Sequence, residues 1–448
     1  MVDRRRFVKT SMIATAGIAG LSALPNTLFG RNYIVSPSDK IRVALIGGRG
    51  MGWSNIQAFL KFPQVECVAF CDIDDEILNR RASEIEKIAG KKPQLLTKDW
   101  RRVIDSKEID AVIVATPDHW HCLQAISAME SGKDVYCEKP LANSIAECDA
   151  MVKAARKHKR IVQTGQWQRS DPHWQEAVSF IHSGKLGHIR TVKVWAYMIG
   201  KKTLPVKPDG PVPPGVDYEM WLGPAKHRPF NPNRFHYNFR YFWDYAGGLN
   251  SDWGVHLLDY ALYGMKVGLP KEVYTAGGKF AYPTDAMETP DTLLTTYVYD
   301  NLTITWDHAC GISGGPYGRE HGVAFIGENG TLVVDRNGWE VIPEVDSAPK
   351  MQAVPLRTKS EVIKGTGVAG GGLGAHVANF LDCMVTRKLP NADVAIGAKV
   401  AKLTHLANIS CRVKKPLTWD NATGKFGLSE ANAMIRPTYS SPWKFPEY

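Results

Sequence analysis

The chain has 448 residues, of which 44% are hydrophobic and 22% charged, and its formal net charge is +10 at pH 7. This length suffices for two domains of ordinary size, and the composition is typical of a soluble globular protein. Beyond the N-terminus the basic excess is dispersed, which favours a solvated surface over nucleic-acid binding. The eight cysteines show neither C-x-x-C nor zinc-ligand spacing, so they indicate no metal site.

The first residues have the pattern of an export signal. Arg4 to Arg6 are followed by Phe7 and Lys9, and a short apolar stretch then runs from Met12 to Leu24. This pattern resembles a twin-arginine signal, whose pathway exports folded proteins, and the apolar stretch is too short to span a bilayer. We therefore expect residues 1–30 to be an export signal and the protein to be periplasmic. A retained anchor and an amphipathic structural arm are the alternatives.

Residues 41–60 have the pattern of a buried strand, a glycine-rich turn and the start of a helix. Free backbone N–H groups at such a turn, together with the helix dipole, form an anion site. Gly47 and Gly52 fit the first and third glycines of G-x-G-x-x-G, while Arg49 takes the central position. The residues predicted to hold the cofactor phosphates are Gly47, Gly48, Arg49, Gly50, Met51 and Gly52.

Asp72 ends a second predicted strand, Val65–Cys71. A carboxylate there can accept hydrogen bonds from the ribose hydroxyls of NAD, and it would repel the 2′-phosphate of NADP. An ordinary tight turn between strand and helix is the alternative. Strand, helix and acidic residue together favour a dinucleotide site that prefers NAD.

Short apolar strands then alternate with amphipathic helices as far as residue 164, which predicts a parallel, doubly wound sheet over residues 38–164. The predicted elements are helices Asp75–Ile88, Trp100–Asp105, Gln124–Ser131 and Ala146–Lys157, and strands Ala111–Ala115, Asp134–Cys137 and Ile161–Thr164.

Polar loops follow two of these strands, and ligands of doubly wound sheets bind beyond the carboxyl ends of the strands. Residues 116–121 form the first loop and residues 138–140 the second. The side chains expected beside the cofactor are Thr116, Pro117, His119, His121, Glu138 and Lys139. The His119-x-His121 pair is also a weak metal signal, although hydrogen bonding is the favoured role of both histidines.

The pattern changes near Gly165, where alternating segments predict a larger antiparallel sheet within a second domain, residues 165–448. These segments are Thr191–Tyr197, Thr292–Tyr299, Leu302–Ala309 and Val323–Ile326. An aromatic stretch, residues 218–245, lies between the first two. One uncovered face of this sheet predicts a homodimer or homotetramer.

Residues 247–259 contain the most specific group of chemical side chains. If they form one helix, Asp252 and His256 are four residues apart and share a face, and Asp259 lies on the same side. A carboxylate beside an imidazole fixes its tautomer and raises its basicity, as a general base requires. A solvent-facing helix start and a metal site formed by Asp252, His256 and Asp259 are the alternatives.

The glycine turn, the Glu138-Lys139-Pro140 tripeptide and the Gly247–Asp259 segment together resemble the Gfo/Idh/MocA oxidoreductases. The aromatic stretch resembles that of large secreted members from glycan-degrading bacteria. The resemblance implies an α/β protein with an N-terminal Rossmann domain and a C-terminal α+β domain containing a large, open-faced, mostly antiparallel sheet. It also implies hydride transfer between a sugar, glycoside or cyclitol carbon and NAD(P).

By this resemblance the catalytic residues are Lys139, Asp252 and His256. His256 would take the hydroxyl proton, Asp252 would steady the imidazolium, and Lys139 would polarise the oxygen. Because a periplasm offers no free NAD pool, the cofactor is expected to stay bound and to be recycled in the site. We expect no resident metal.

Aromatic rings can cover the apolar faces of a pyranose, while arginines bind its hydroxyls. Most of the aromatic side chains are expected to pack as a loop over the sheet. The candidates for substrate contact are Arg169, Tyr237, Arg240 and Trp243. An NAD-dependent glycosidase that oxidises its sugar transiently, and a non-catalytic binding module, are the alternative functions.

Overall fold

A computed structural model of the chain describes residues 40–344, 362–363 and 371–448. The predicted export signal, residues 1–30, and the first two residues of the predicted first domain lie outside the described residues. The described chain forms two sheets with helices packed against them. Among its described helices, none has the combined length and apolarity that a membrane crossing requires.

The first sheet has six parallel strands in the order β3-β2-β1-β4-β5-β6. The order reverses at β1, which pairs in parallel with both β2 and β4, so the ligand crevice lies beyond this strand. The predicted doubly wound sheet is confirmed. Its strands are β1 Ile41–Ile46, β2 Val65–Cys71, β3 Leu95–Thr97, β4 Ala111–Val114, β5 Asp134–Cys137 and β6 Val162–Thr164. Its helices are α1 Gly50–Phe59, α2 Asp75–Ala89, α3 Trp100–Asp105, α4 Asp118–Glu130 and α5 Ile145–Lys157.

The second sheet has ten strands in the order β14-β13-β12-β11-β7-β10-β9-β8-β15-β16. Its pairings are antiparallel except that of β7 with β10. The predicted α/β fold with a mostly antiparallel second sheet is therefore confirmed. The strands are β7 Ile189–Met198, β8 Glu272–Gly278, β9 Thr292–Val298, β10 Thr303–Cys310, β11 His321–Gly327, β12 Gly330–Asp335, β13 Gly338–Pro343, β14 Val362–Ile363, β15 Leu417–Asp420 and β16 Lys425–Phe426.

Helices cover one face of this sheet and bury a large apolar core that includes Trp174, Tyr260 and Trp306. The remaining helices are α6 Pro172–His182, α7 Tyr218–Leu222, α8 Gly248–Asp252, α9 Gly254–Met265, α10 Gly371–Thr386, α11 Val394–Val413 and α12 Ser429–Asn432, with 3₁₀ turns at Trp167–Ser170, His236–Tyr241 and Pro316–Gly318. On the opposite face Leu294 is 52% exposed and Tyr274 is 42% exposed. The predicted oligomer stays a prediction.

Helix α10 returns to the first domain. The ring of Phe380 packs 6.0 Å from Phe59 and 5.9 Å from Tyr136, between centroids. Arg387, just beyond the helix, pairs with Asp134 at 2.6 Å. The C-terminal part of the chain therefore covers part of the nucleotide-binding sheet.

The predicted single helix over residues 247–259 is wrong, because the chain forms two helices that meet at Trp253. The backbone N–H of His256 donates to the Trp253 carbonyl at 3.1 Å, in a tighter turn than an α-helix. The Asp252 carbonyl, which a continuous helix would offer to this N–H, instead accepts from Lys139 Nζ at 3.0 Å. A long-range contact thus replaces a helical hydrogen bond.

Candidate active site

A cavity of about 620 Å³ lies beyond the carboxyl ends of the parallel strands, between the glycine turn and the aromatic stretch. Of the predicted site residues, those that line it are Gly47, Arg49, Gly50, Met51, Asp72, Thr116, Pro117, Glu138, Lys139, Tyr237 and Arg240. Those outside the lining are Gly48, Gly52, His119, His121, Arg169, Trp243, Asp252 and His256.

The glycine turn has the shape that a pyrophosphate requires. Gly47 has φ +90°, and a Cβ there would lie 2.6 Å from the Ala115 carbonyl oxygen. A Cβ on Gly52 would lie 1.9 Å from the Gly47 oxygen, so both glycines permit close backbone packing. Gly50 opens onto empty space at the start of α1, where phosphate oxygens can approach the helix N-terminus. These residues fit the phosphates of NAD.

Asp72 lies at the cavity wall with a side chain already oriented by the backbone. Its two carboxylate oxygens accept from the N–H groups of Gly48 at 2.8 Å and Asp74 at 3.1 Å. Burial raises its pKa to about 6, against the opposing effect of these hydrogen bonds. The position fits the predicted contact with a ribose.

Lys139 and Arg240 form the charged end of the cavity, and Asp252, just outside the lining, joins them. Lys139 Nζ donates to Asp252 Oδ1 at 2.7 Å, and Arg240 Nε donates to the same oxygen at 3.2 Å. Burial acts to raise the pKa of Asp252, but the charges of Lys139 and Arg240 outweigh it and hold the pKa well below its usual range. Asp252 is therefore an ionised carboxylate shared by two cations.

No hydrogen bond joins Asp252 to His256 within the described residues, although the charge of Asp252 acts to raise the pKa of His256 as predicted. His256 Nδ1 is buried and has no partner in the described part of the chain. Burial, together with the charges of Lys139 and Arg336, lowers the pKa of His256 well below 6.5. The imidazole is therefore neutral at pH 7, and Asp252 orients Lys139 instead of His256.

Arg169 and Asp259 form a buried ion pair away from the cavity. The guanidinium donates to both carboxylate oxygens, at 2.6 and 2.8 Å, and the side chains are 10% and 2% exposed. Arg169 also stacks 4.4 Å from the Tyr263 ring centroid. The proposed set of Asp252, His256 and Asp259 therefore does not converge on a metal, and no metal-binding group of three such side chains occurs among the described residues.

The two predicted histidines lie in the first turn of α4, and not in a loop as the sequence indicated. The two ring nitrogens of His121 lie 2.9 Å from the Thr116 carbonyl oxygen and 2.8 Å from that of Pro140, so the ring packs between the two strand-end segments and its single N–H donates to one of them. His119 Nε2 lies 3.0 Å from the Trp221 carbonyl oxygen. Both histidines hold the cavity walls in place from behind.

Most of the aromatic stretch is packed, as predicted. Its buried rings form a separate apolar cluster of Tyr218, Trp221, Phe230, Phe235, Phe239, Tyr241, Phe242 and Tyr245. Tyr237 is 66% exposed, and Arg240 lies 4.7 Å from its ring centroid. Trp243 lies under Arg412, at 5.2 Å, outside the cavity.

Sequence reasoning missed Asp118, Asp74 and His236. Asp118 lines the cavity, is 6% exposed, and has a pKa raised by burial to about 8. Its position directly after a parallel strand was a signal for it. The Asp74 carboxylate lies 3.3 Å from the His236 ring and 3.8 Å from the Arg49 guanidinium, two groups that line the cavity from different domains. No local pattern indicated the contact of Asp74 with His236, since the two residues are far apart in the chain.

Curated relatives match only part of this chain. A "Glycosyl hydrolase family 109 protein" of Shewanella baltica (strain OS155) is 33% identical over 171 residues, 35% of this chain and 37% of the relative. An "Alpha-N-acetylgalactosaminidase" of Shewanella oneidensis is 31% identical over the same share of each chain. The matched region thus spans well under two thirds of these relatives.

Solved structures with the same fold cover most of the chain. Levoglucosan dehydrogenase in complex with NADH and levoglucosan has a TM-score of 0.64 and 20% identity, covering 85% of this chain and 99% of that one. Myo-inositol 2-dehydrogenase from Lactobacillus plantarum has a TM-score of 0.61 and 19% identity, with coverage of 85% and 99%.

Two family models match the two domains in turn. The GFO_IDH_MocA model, described as "Oxidoreductase family, NAD-binding Rossmann fold", matches residues 41–166. Its C-terminal companion, "Oxidoreductase family, C-terminal alpha/beta domain", matches residues 181–351. Together they cover the whole first sheet with its glycine turn and strands β7 to β13 of the second sheet, and the chain therefore belongs to the Gfo/Idh/MocA oxidoreductase family with NAD as its cofactor.

Proposed function

We propose that the protein transfers a hydride between a carbon of a sugar, glycoside or cyclitol and a tightly held NAD. The observation that carries this proposal is the placement of Lys139. Its side chain lines the NAD-shaped cavity, and Asp252 holds its ammonium group at 2.7 Å. The dehydrogenases among the structural neighbours act on polyhydroxylated rings, which supports this substrate class.

Lys139 is arranged to polarise a substrate hydroxyl. An ammonium group has three N–H donors, and Asp252 takes two of them through its carboxylate and its carbonyl oxygen. The third remains for the hydroxyl oxygen at the carbon that loses hydride. A fixed positive charge there stabilises the alkoxide character that develops as the hydroxyl proton leaves.

His256 is the best candidate to take that proton. Its pKa lies well below 6.5, so the ring stays neutral and able to accept a proton at pH 7. Because Nδ1 is buried, Nε2 is the nitrogen that can face the substrate. Bound NAD supplies the hydride acceptor, while Asp252 keeps Lys139 and Arg240 in place. Lys139 as the base is the competing assignment.

An NAD-dependent glycosidase is the second candidate. The relatives with glycosidase names match 35% of this chain, so they support a glycosidase function only through that matched region. In such a reaction the sugar would be oxidised only transiently, with no net redox change. Both candidates use Lys139 and His256 for the same oxidation.

The test is to purify the protein, follow the absorbance of bound NADH, and offer matched glycosides and free sugars. Lasting NADH formation supports the dehydrogenase, whereas aglycone release without lasting NADH supports the glycosidase. His256→Ala and Lys139→Met should each lower the rate of oxidation by about 10²–10⁴-fold. Lys402→Met is the control, because Lys402 pairs with Asp149 away from the cavity.

The pH profile separates the two candidate bases. A low-pH limb set by His256 should lie below pH 6.5, the ordinary pKa of histidine, because the folded pKa is lowered. Loss of this limb in His256→Ala supports the histidine as base. If the limb survives there and vanishes in Lys139→Met, lysine is the base. Unchanged rates in both variants would refute the proposed site.

We also propose that the protein is exported with NAD already bound. The twin-arginine pattern of residues 4–9 supports export of a folded protein, and the partly enclosed cavity supports retention of the cofactor. Fractionation of cells that produce the full chain should place it, with its nicotinamide, in the periplasm. A cytoplasmic location would refute this.

A further inference from the structure

A second positively charged group, Arg336 in the turn after β12, lies outside the cavity lining but close enough to His256 and Asp252 to interact with them electrostatically. The guanidinium carbon of Arg336 lies 4.8 Å from the ring centroid of Trp253 and 5.3 Å from that of Trp167. Trp253 separates Asp252 from His256 in the chain, so this stack adjoins the catalytic candidates. The ring of His321 also lies 5.2 Å from Trp253.

Arg336 has no acidic partner among the residues that the structure describes. The one hydrogen bond it makes within the described chain, from Nη2 to Gln168 Oε1, is long at 3.5 Å. Asp335 precedes it but pairs with Arg319 at 3.1 Å, and Asp252 is shared by Lys139 and Arg240. Burial lowers the pKa of the Arg336 guanidinium despite the opposing charge of Asp252. The charge is therefore poorly compensated within this part of the protein.

Other nitrogen atoms nearby are also without partners. Arg336 Nε, His321 Nε2 and His256 Nδ1 are buried and have no hydrogen-bond acceptor or donor among the described residues. Arg336 and the two histidines also oppose one another electrostatically, because its charge lowers the pKa of both rings. A half-buried cation whose neighbours are unpaired loses hydration free energy, and an anionic ligand would offset that loss. Within the described residues nothing neutralises this cation, and an anionic ligand would do so.

We propose that Arg336 binds a carboxylate of the substrate, so that the preferred substrate is an acidic sugar such as a hexuronate or its glycoside. This inference rests on the proposed function, whose sugar-binding site it refines. A planar guanidinium pairs with a carboxylate through two parallel hydrogen bonds, and the flanking indoles restrict it to one plane.

The test is calorimetric binding to the NADH-loaded protein, which measures affinity without turnover. The probes are the methyl glycosides of glucuronate and glucose, and of galacturonate and galactose. At least one acid should bind about 10–100-fold tighter than its neutral partner, the range expected for a charge-assisted pair. Arg336→Met should abolish this preference and leave binding of the neutral sugar within about twofold.

Two further variants keep the result interpretable. Arg336→Lys retains the charge but loses the two parallel N–H donors of the guanidinium. The preference for the acid over its neutral partner should therefore fall by several-fold without vanishing. Arg80→Met is the control, since Arg80 pairs with Glu76 and Glu84 on the surface of α2. Each variant should have the melting curve and the NADH affinity of the unaltered protein. If Arg336→Met does not fold, the acid preference of Arg336→Lys is the measurement that tests the proposal.

The inference is overturned if neither acid binds better than its neutral partner, or if Arg336→Met weakens both sugars equally. Tighter binding of glucose 6-sulfate than of glucuronate overturns the assignment to a carboxylate. Failure of the proposed function would look different. If the protein prefers acidic sugars through Arg336 but transfers no hydride from any bound sugar to NAD, the oxidoreductase function is refuted and the anion site is still supported.

Discussion

Asp118 lines the charged end of the cavity, where Asp252 holds Lys139 and Arg240 in place, and replacing each aspartate by asparagine should change stability in opposite directions. Burial raises the pKa of Asp118 from 3.8 to about 8, so the fold favours its protonated form. Two cations hold the pKa of Asp252 well below 3.8, so the fold favours its ionised form. A neutral amide therefore resembles the favoured form of Asp118 but not that of Asp252.

The sign and size of each effect follow from linkage between protonation and folding. For Asp118 the raised pKa means that stability is full below pH 3.8 and is lost as pH rises to about 8. At about 1.36 kcal/mol per pH unit, this loss is about 6 kcal/mol at most. Asp118→Asn should avoid it, so the gain from the substitution should grow with pH and level off above about pH 8.

For Asp252 the lowered pKa means that its contribution is present above pH 3.8 and is lost as pH falls through the folded value. Asp252→Asn leaves Lys139 and Arg240 without their shared anion. Removing one partner from a buried ion pair typically costs about 3–5 kcal/mol, and this loss should be seen at neutral pH.

The assay is urea unfolding of each variant across the range from about pH 5 to pH 9. Asp149→Asn is the matched control: Asp149 is 47% exposed and pairs with Lys402, so its loss should cost about 1 kcal/mol or less. If Asp118→Asn destabilises the protein equally at every pH, Asp118 is ionised in the fold and the reasoning is refuted. An Asp252→Asn variant as stable as the control would refute the shared-anion description.

Three further predictions concern the fold, the cofactor and assembly. Arg169→Met should lower the unfolding free energy by about 3–5 kcal/mol, because Asp259 is left buried and unpaired, with little change in KM; a raised KM at unchanged stability would contradict this. Titration should show that NADH binds more tightly than NADPH, and Asp72→Ala should reduce the ratio of the two affinities by about tenfold. If the unaltered protein binds NADPH more tightly, the assignment of Asp72 to the ribose contact is wrong. Sedimentation at micromolar concentration should find a dimer or tetramer joined through the open sheet face, and a monomer would rule this out.

The sequence alone determined the features that depend on neighbouring residues. Val43 to Ile46, the glycines after them and Asp72 predicted an NAD site, because strand burial, positive φ at Gly47 and the position of an acidic strand end are local properties. The alternation of strands and helices likewise predicted the parallel sheet. The resemblance carried by Glu138-Lys139-Pro140 supplied the expected role of Lys139.

Only the tertiary structure decided which charged side chains pair. Asp252 and His256 have the spacing of helical neighbours, but Asp252 pairs with Lys139, 113 residues away, and the helix breaks between them. Arg169 similarly finds Asp259 across 90 residues and is therefore part of the core and not of the cavity. A side chain takes the partner that packing and desolvation favour most strongly, and sequence spacing does not record which distant groups compete for it.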